Sequence, residues 1–257
     1  MGRSATRKSS PSSANEMPET AQEALARDII LAAEHQEAVR KVFRRERDRL
    51  AAKPDADPVR EAEWAAAIAA LWVVAAEQVY PSTVTDINPG VTPGPAPDFS
   101  GFIQNAAEGI VRTTRRRIEA LRLTKPPNLS RQLRKLYQVE FINKRAPRIA
   151  LDQALRQTAT FENAAAKRVE KATGVPLEKV WHNQGDRQVR TSHKSVVAVL
   201  LDEPFIVGKD EVQLRYPRDP AGAGRETFGC RCWAEHREAT EDTILAAAEA
   251  LEAADVL

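Results

Sequence analysis

The only two cysteines of the chain stand one residue apart, in the stretch "ETFGCRCWAEH" at 226–236. Thiolate sulfur and imidazole nitrogen are ligands that Zn²⁺ prefers, and a structural zinc site is tetrahedral. Cys230 and Cys232 could therefore hold zinc together with His193, which lies earlier in the chain. The candidates for a fourth ligand are His182, Asp186 and His236.

Two other interpretations of the cysteine pair remain open, because the familiar zinc spacing is C-x2-C rather than C-x-C. If "RCWAEH" forms a strand, both side chains point to the same face. Their Cα atoms would then be about 6.5 Å apart, which makes a disulfide between them strained. The pair could instead be two small buried residues in a metal-free polar cluster, or a reactive pair of thiols.

Unusual residues are concentrated in three segments of the last eighty residues, 181–193, 216–220 and 226–232. The six charged residues that we expect to form an ion-pair network are Asp186, Arg187, Arg190, Asp219, Glu226 and Arg231. Such networks fix geometry more reliably than they add stability. We expect a bidentate bond from Arg190 or Arg231 to Asp186 or Glu226. A catalytic arrangement, with His193 as a general base oriented by Asp186, has no convincing nucleophile nearby.

Taken in order, the three segments resemble the phage Mu F-like minor head protein family, whose pattern reads, loosely, W-x4-D-x-R-V-R-x2-H, then a short strand ending in an apolar F, then Y-P-x-D-P, then E-x2-N-C-R-C. The matching residues are Trp181, Asp186, Arg187, Val189, Arg190, His193, Phe205, Tyr216, Pro217, Asp219, Pro220, Glu226, Cys230, Arg231 and Cys232. Upstream, Thr158 and Asn163 match a helix of the family, whereas Ala159 and Gly229 depart from the usual Glu and Asn. The resemblance covers residues 146–237.

This resemblance implies a non-enzymatic minor head protein of a tailed double-stranded DNA phage, present in few copies and acting in head morphogenesis near the portal. The implied partners are the portal protein, a scaffold or major capsid protein, and double-stranded DNA. The implied location is the virion head, and the host cytoplasm during assembly. The alternative is a metal-dependent hydrolase or transferase-like effector domain of a mobile element, centred on His193 and the two cysteines. A third hypothesis is a cytoplasmic nucleic-acid-binding protein.

A basic segment spans residues 112–148, with twelve Lys and Arg residues against Glu119 and Glu140 in a chain whose formal charge is +2. Such a density of positive charge attracts phosphate groups or an acidic partner. The residues that we expect to make these contacts are Arg112, Arg115, Arg116, Arg117, Arg131, Arg134 and Lys135. Tyr137 and Phe141, at helical spacing between the charges, are expected to pack inward. An ordinary solvated helix face is the alternative.

The elements that must position these residues belong to an α+β protein. Apolar periodicity predicts five helices between residues 20 and 173, and Pro81 is expected to end the second of them. Short β-branched runs after Gly174 predict a small antiparallel sheet. The expected organisation is a disordered basic tail at 1–18, a helical region at 19–145, the Mu F-like domain at 146–237 and an acidic helix at 238–257, capped by Thr240.

The sequence lacks the motifs of several common enzyme classes and the segments typical of membrane or secreted proteins. No P-loop, nucleophile-elbow, H-E-x-x-H or G-x-G-x-x-G motif is present. No run of about 18 uncharged apolar residues predicts a membrane span, and the N-terminal residues lack the apolar core of a secretory signal. Two cysteines do not make a disulfide framework, which indicates a reducing compartment.

Overall fold

The structure is a computed structural model that describes the backbone of residues 19–255 and the side chains of residues 28–252. The expected disordered tail at 1–18 lies outside the described residues. The fold is α+β, as expected: a helical N-terminal part precedes a small antiparallel sheet and a terminal helix. The helices are α1 (Glu19–Ala52), α2 (Glu61–Ile87), α3 (Ser100–Leu123), α4 (Leu129–Lys135), α5 (Ala146–Thr173), α6 (Gly224–Thr227) and α7 (Glu241–Asp255).

Helix α5 lies at the centre of the helical part and packs against both α1 and α2. Aromatic rings fill the space between these helices: the Phe161 ring of α5 lies 5.8 Å from Trp72 of α2 and 5.9 Å from Phe99. Aromatic pairs in such edge-to-face arrangements stabilise a core beyond the area that they bury. The helical part is therefore built around α5, and the residues before and after position 146 share one core.

The expectation that Pro81 ends the second helix is wrong. Proline lacks the N–H that a helix interior needs, yet α2 continues for six residues beyond it, to Ile87. The hydroxyls of Ser82 and Thr83 donate to the Val79 carbonyl, and Thr83 and Val84 are buried in the core. Tertiary packing of this last turn outweighs the local preference of proline to end a helix.

A π-helix, Leu136–Arg145, joins α4 to α5, so the chain is helical from Leu129 to Thr173 without a break. Tyr137 and Phe141 are fully buried on its inner side, as expected, and their rings lie 6.4 and 5.4 Å from the Phe43 ring of α1. The family-like segment that begins at residue 146 therefore starts within a continuous helical stretch.

The small sheet has the strand order β2-β1-β5, formed by β1 (Leu177–His182), β2 (Val199–Leu200) and β5 (Trp233–Glu238), and both pairings are antiparallel. A separate hairpin pairs β3 (Phe205–Val207) with β4 (Val212–Leu214). A second, smaller core lies beside the sheet and contains Trp181, Phe205 and both cysteines. Cys230 and Cys232 precede β5 rather than forming part of it, which corrects the expectation that they lie in a strand.

Helix α7 begins after Thr240, whose hydroxyl accepts a hydrogen bond from the Thr243 amide at 3.3 Å, as expected for an N-cap. Among the described helices, α2 alone is long and apolar enough to pass a length-and-composition test for a membrane span. Its Trp64, Ile68 and Trp72 side chains are buried against neighbouring helices, as in the core helix of a bundle.

Candidate metal centre

Three separate parts of the chain meet at the cysteine pair. Trp181 comes from β1, His193 ends a short 3₁₀ helix (Thr191–His193), and the cysteines lie in the loop between α6 and β5. The Asn183 side-chain amide donates to the His193 carbonyl at 3.2 Å and so ties the end of β1 to the 3₁₀ turn. The segments that are remote in the sequence therefore converge on one buried cluster.

The geometry of this cluster fits a tetrahedral metal ion. Nδ1 of His193 lies 3.5 Å from the Sγ atom of Cys230 and 3.5 Å from that of Cys232. All three ligand atoms lie within 4.8 Å of one another. Zinc–sulfur bonds of about 2.3 Å and zinc–nitrogen bonds of about 2.05 Å, at a tetrahedral angle, require a sulfur–nitrogen distance of about 3.6 Å. The spacing of the donor atoms thus matches what zinc would need.

A carboxylate orients the histidine from the other side of its ring. Nε2 of His193 lies 2.9 Å from a carboxylate oxygen of Glu226, and the same oxygen accepts a hydrogen bond from the Ser192 hydroxyl at 2.9 Å. Burial alone would raise the pKa of Glu226, but the bonds from Ser192 and His193 lower it below its ordinary value. A charged Glu226 holds the proton on Nε2, which leaves the Nδ1 lone pair facing the sulfurs.

The two cysteine sulfurs also interact with each other. The hydrogen bond between them lowers the pKa of Cys230 and raises that of Cys232. The Cys232 backbone amide also lies 3.4 Å from the Cys230 sulfur, and the Arg218 guanidinium contributes positive charge nearby. These groups favour a thiolate, which is the form that binds metals.

Arg218 is a component of the site that the sequence did not reveal. It is buried, and it donates to the Cys230 carbonyl at 3.0 Å and to the Leu155 carbonyl of α5 at 2.8 Å. Its backbone has a positive φ of 67°, a conformation that non-glycine residues seldom adopt. The sequence feature that could have pointed to Arg218 is its position between Pro217 and Asp219, in the Y-P-x-D-P segment.

The site is closed to solvent on every side that the structure describes. His193 is 1 % exposed, and the cysteines are 2 % and 3 % exposed. The Trp181 ring lies edge-on to the His193 ring at 5.1 Å. A cavity between α3 and α5 and a second one beside Arg115 and Arg122 are lined by neither His193 nor a cysteine. This burial suits a structural metal centre rather than one that admits a substrate.

None of the expected fourth ligands belongs to the cluster. His182 instead bonds Glu235 at 2.8 Å and stacks on the Trp233 ring. Burial lowers the pKa of His236 to about 4, so its imidazole is neutral in the sheet. Among residues 28–252, the group that could hold a metal consists of His193, Cys230 and Cys232.

The expected ion-pair network divides into separate pairs. Arg231 Nη2 donates to both oxygens of Asp186, at 2.7 and 2.6 Å, so the expected bond forms although it uses a single nitrogen. This bond lowers the pKa of Asp186. Arg190 donates instead to the Phe228 carbonyl, while Arg187 is exposed. Glu226 binds His193 and Ser192 rather than accepting the expected arginine bond.

The Y-P-x-D-P segment joins the site to the helices. The Tyr216 hydroxyl lies 3.1 Å from the Thr160 hydroxyl of α5. Both oxygens of Asp219 bind the Arg215 guanidinium, at 2.8 and 2.7 Å. Pro217 is buried and Pro220 is half-buried. These residues therefore act as a structural connection that is separate from the metal ligands.

The basic segment is partly used within the fold. Arg115 binds Asp57 at 2.8 Å, and Arg117 lies 3.2 Å from Glu140. Of the seven expected contact residues, five are exposed and have no carboxylate partner among the described residues: Arg112, Arg116, Arg131, Arg134 and Lys135. The segment is therefore less uniformly available to a partner than its sequence suggests.

Comparison with protein-family models, with curated proteins and with solved structures finds no match for this chain. The functional argument therefore rests on the sequence signature and on the geometry of the site.

Proposed function

We propose that this protein is a minor head protein of a tailed double-stranded DNA phage, acting in head morphogenesis beside the portal. The observation that carries the proposal is the convergence of the three signature segments on one buried cluster. Trp181 and His193 come from the first segment and Cys230 from the third, and Arg218 of the second donates to the Cys230 carbonyl. A buried cluster that fixes the positions of separate chain segments, and that is not open to a substrate, suits a structural component of a particle.

A zinc ion is part of this proposal. Its ligands are His193, Cys230 and Cys232, with Glu226 orienting the histidine. When bound, zinc supplies a cross-link between segments that the sequence separates, and such a link adds directly to folding stability. The burial of the three ligands favours a structural role for the site over the hydrolase or transferase alternative.

The surface left for DNA or for an acidic face of the portal comprises the exposed basic side chains. Arg116 lies on α3, and Arg131 and Arg134 lie on α4. Contacts of these side chains with phosphate groups would release counterions, so the affinity should fall steeply as salt increases.

Mass spectrometry of purified particles and pull-down of the portal protein test the proposal. We expect the protein in few copies per particle, and we expect it to retain the portal protein on a resin. A mobility shift on duplex DNA at two salt concentrations tests the basic surface, with Arg131→Glu/Arg134→Glu as the weakened variant. Absence from the particles together with failure to bind portal protein or DNA would overturn the proposal.

A further inference from the structure

A groove of about 530 Å³ runs between α3 and the N-terminal half of α5. Pro220 and Phe228, which precede the cysteines in the chain, also line it. Its apolar lining includes Trp72, Phe102, Ile110 and Ile149, and the Phe228 ring at its edge is 63 % exposed. An apolar surface of this kind is a candidate binding site.

The groove carries a surplus of positive charge. Five arginines line it against Glu140 and Asp152, which leaves three uncompensated positive charges. Arg117 pairs with Glu140 and Arg156 pairs with Asp152, while Arg145 binds Thr114 and the Ile110 carbonyl. The two exposed arginines that remain, Arg112 and Arg148, have no carboxylate partner among residues 28–252. A ligand of this groove should therefore be apolar along its length and acidic at its edge.

Helix α7 has this complementary character. It contains five acidic residues, Glu241, Asp242, Glu249, Glu252 and Asp255, and no basic residue. Of its large apolar side chains, Ile244 is 42 %, Leu245 61 % and Leu251 68 % exposed. Ile244, Ala248 and Leu251 follow the i, i+4, i+7 spacing of a single helix face, and Glu241 and Glu252 flank that face.

In this structure the helix lies away from the groove of its own chain. Its start is fixed at the end of the sheet, where the Ala239 amide donates to the Pro176 carbonyl at 2.9 Å and the Thr240 amide to Glu178 at 3.1 Å. Pro176 lies just beyond the C-terminal end of α5, whereas the groove is lined by the first third of α5, up to Arg156. At 1.5 Å per residue, Arg156 and Thr173 are about 25 Å apart along the helix axis. None of the residues that line the groove belongs to α7.

We propose that α7 of one copy of this chain docks in the α3–α5 groove of a second copy. The apolar face of α7 (Ile244, Ala248 and Leu251) packs against the Trp72 and Phe102 rings. Its flanking carboxylates contact Arg112 and Arg148. This is helix-in-groove recognition, in which successive turns of one helix face supply the anchors. The contact joins two different surfaces of the same chain, so repeating it generates a ring or an open filament. The inference does not depend on the proposed function.

A synthetic peptide of residues 239–257 tests the contact directly. Labelled with fluorescein and titrated with the full-length chain, it should show saturable anisotropy that weakens as salt rises. The control peptide carries Ile244→Gln and Leu251→Gln, which retain the charges and the helical propensity but remove the apolar anchors. We expect the control to bind at least about tenfold more weakly.

The matched protein variants are Arg112→Glu/Arg148→Glu in the groove and Arg131→Glu/Arg134→Glu outside it. Both change the net charge equally, and circular dichroism melting checks that both fold. We expect the groove variant to lose at least about tenfold in peptide affinity and the other variant to stay within about twofold. Light scattering of the wild-type chain should show a mass that rises with concentration, and the groove variant should not.

Three results would overturn the inference. The first is no peptide binding by the wild-type chain up to about 300 µM, a concentration at which even weak helix–groove contacts are detectable. The second is equal affinity for both peptides. The third is loss of duplex DNA binding in the groove variant with peptide binding unchanged, which would assign the groove to nucleic acid.

Discussion

The Glu226 carboxylate orients the His193 ring, whose Nε2 lies 2.9 Å from a Glu226 oxygen. In this orientation Nδ1 of His193 faces both cysteine sulfurs at 3.5 Å. A metal-binding histidine almost always donates its other N–H to such an acceptor, which sets the tautomer and raises the basicity of the ligand. The pairing explains why an acidic residue accompanies the cysteines in the signature.

Replacing Glu226 by glutamine should weaken zinc binding while leaving all three ligands in place. An amide can still accept a hydrogen bond from the histidine, but it lacks the negative charge that stabilises the metal-bound ring. Loss of such an orienting partner typically costs about 10–100-fold in metal affinity. Competition with a chromogenic zinc chelator measures the change.

The chain offers a matched control for this variant. Glu235 lies 2.8 Å from Nε2 of His182 in a similar carboxylate–imidazole pair, but on the exposed side of the sheet. Glu235→Gln should leave zinc affinity unchanged. Equal loss in both variants would mean that Glu226 has no specific role at the metal.

Removing a ligand should remove the metal and a large part of the stability of the C-terminal domain. We expect about one equivalent of zinc per chain in the wild type, and less than about a tenth in His193→Ala, Cys230→Ser and Cys232→Ser. A chelator should lower the melting temperature of the wild type and leave that of the ligand variants unchanged. Elemental analysis and calorimetry measure both effects.

His182→Ala is the appropriate control for these variants, because His182 lies outside the cluster. It should retain zinc and respond to the chelator as the wild type does. Wild-type protein prepared in zinc-containing medium that carries less than a tenth of an equivalent would contradict the zinc assignment.

A side chain at Gly222 should destabilise the fold. A Cβ atom at this position would lie 2.2 Å from Leu214 Cδ2 and 3.2 Å from the Asp219 carbonyl oxygen. Overpacking of this kind typically costs about 1–3 kcal/mol. For a chain of this size, we expect Gly222→Ala to lower the melting temperature by about 2–4 °C per kcal/mol. Gly224→Ala, where a Cβ would meet nothing within 4 Å, is the control. A melting temperature for Gly222→Ala equal to that of the control would mean that the loop repacks freely.

The stability of the helical part should fall as the pH rises toward neutrality. Burial raises the pKa of Glu46 to about 7, against hydrogen bonds from Trp64 and Tyr137 that lower it. The folded state therefore holds a proton on Glu46 that the unfolded state releases near the ordinary glutamate pKa of 4.5. This contribution is fully present below about pH 4.5 and is lost as the pH passes about 7.

A shift of this size corresponds to about 3 kcal/mol, an upper limit if the site relaxes. Glu46→Gln has no proton to release, so its free energy of unfolding should lack this fall between pH 5 and 7.5. Urea unfolding across this range measures the difference, with the exposed Glu119→Gln as the control. Parallel pH profiles for the wild type and Glu46→Gln would show that Glu46 does not titrate in this range.

The sequence predicts most of the helices and strands because their apolar spacing is regular, and it singles out the residues of the cluster because cysteine and histidine are rare in this chain. It does not predict that α2 continues beyond Pro81. The last turn is stabilised by hydrogen bonds from the Ser82 and Thr83 hydroxyls and by burial of Val84, and local sequence preferences do not include these contacts. It also misses Arg218, whose two carbonyl partners lie 12 and 63 residues away along the chain. Only the folded arrangement brings such partners together.

The loop from Tyr216 to Cys232 has consequences for both proposed sites. Pro220 and Phe228 line the groove, while Cys230 and Cys232 belong to the metal cluster, and Arg218 fastens the loop to α5. A helix in the groove and an ion at the cysteines would thus act on the same short segment from opposite sides. If loading the metal changes the affinity for the helix by some factor, the helix must change the affinity for the metal by the same factor. Assembly of copies and metal loading would then be thermodynamically linked, so that metal supply could influence how readily the copies join.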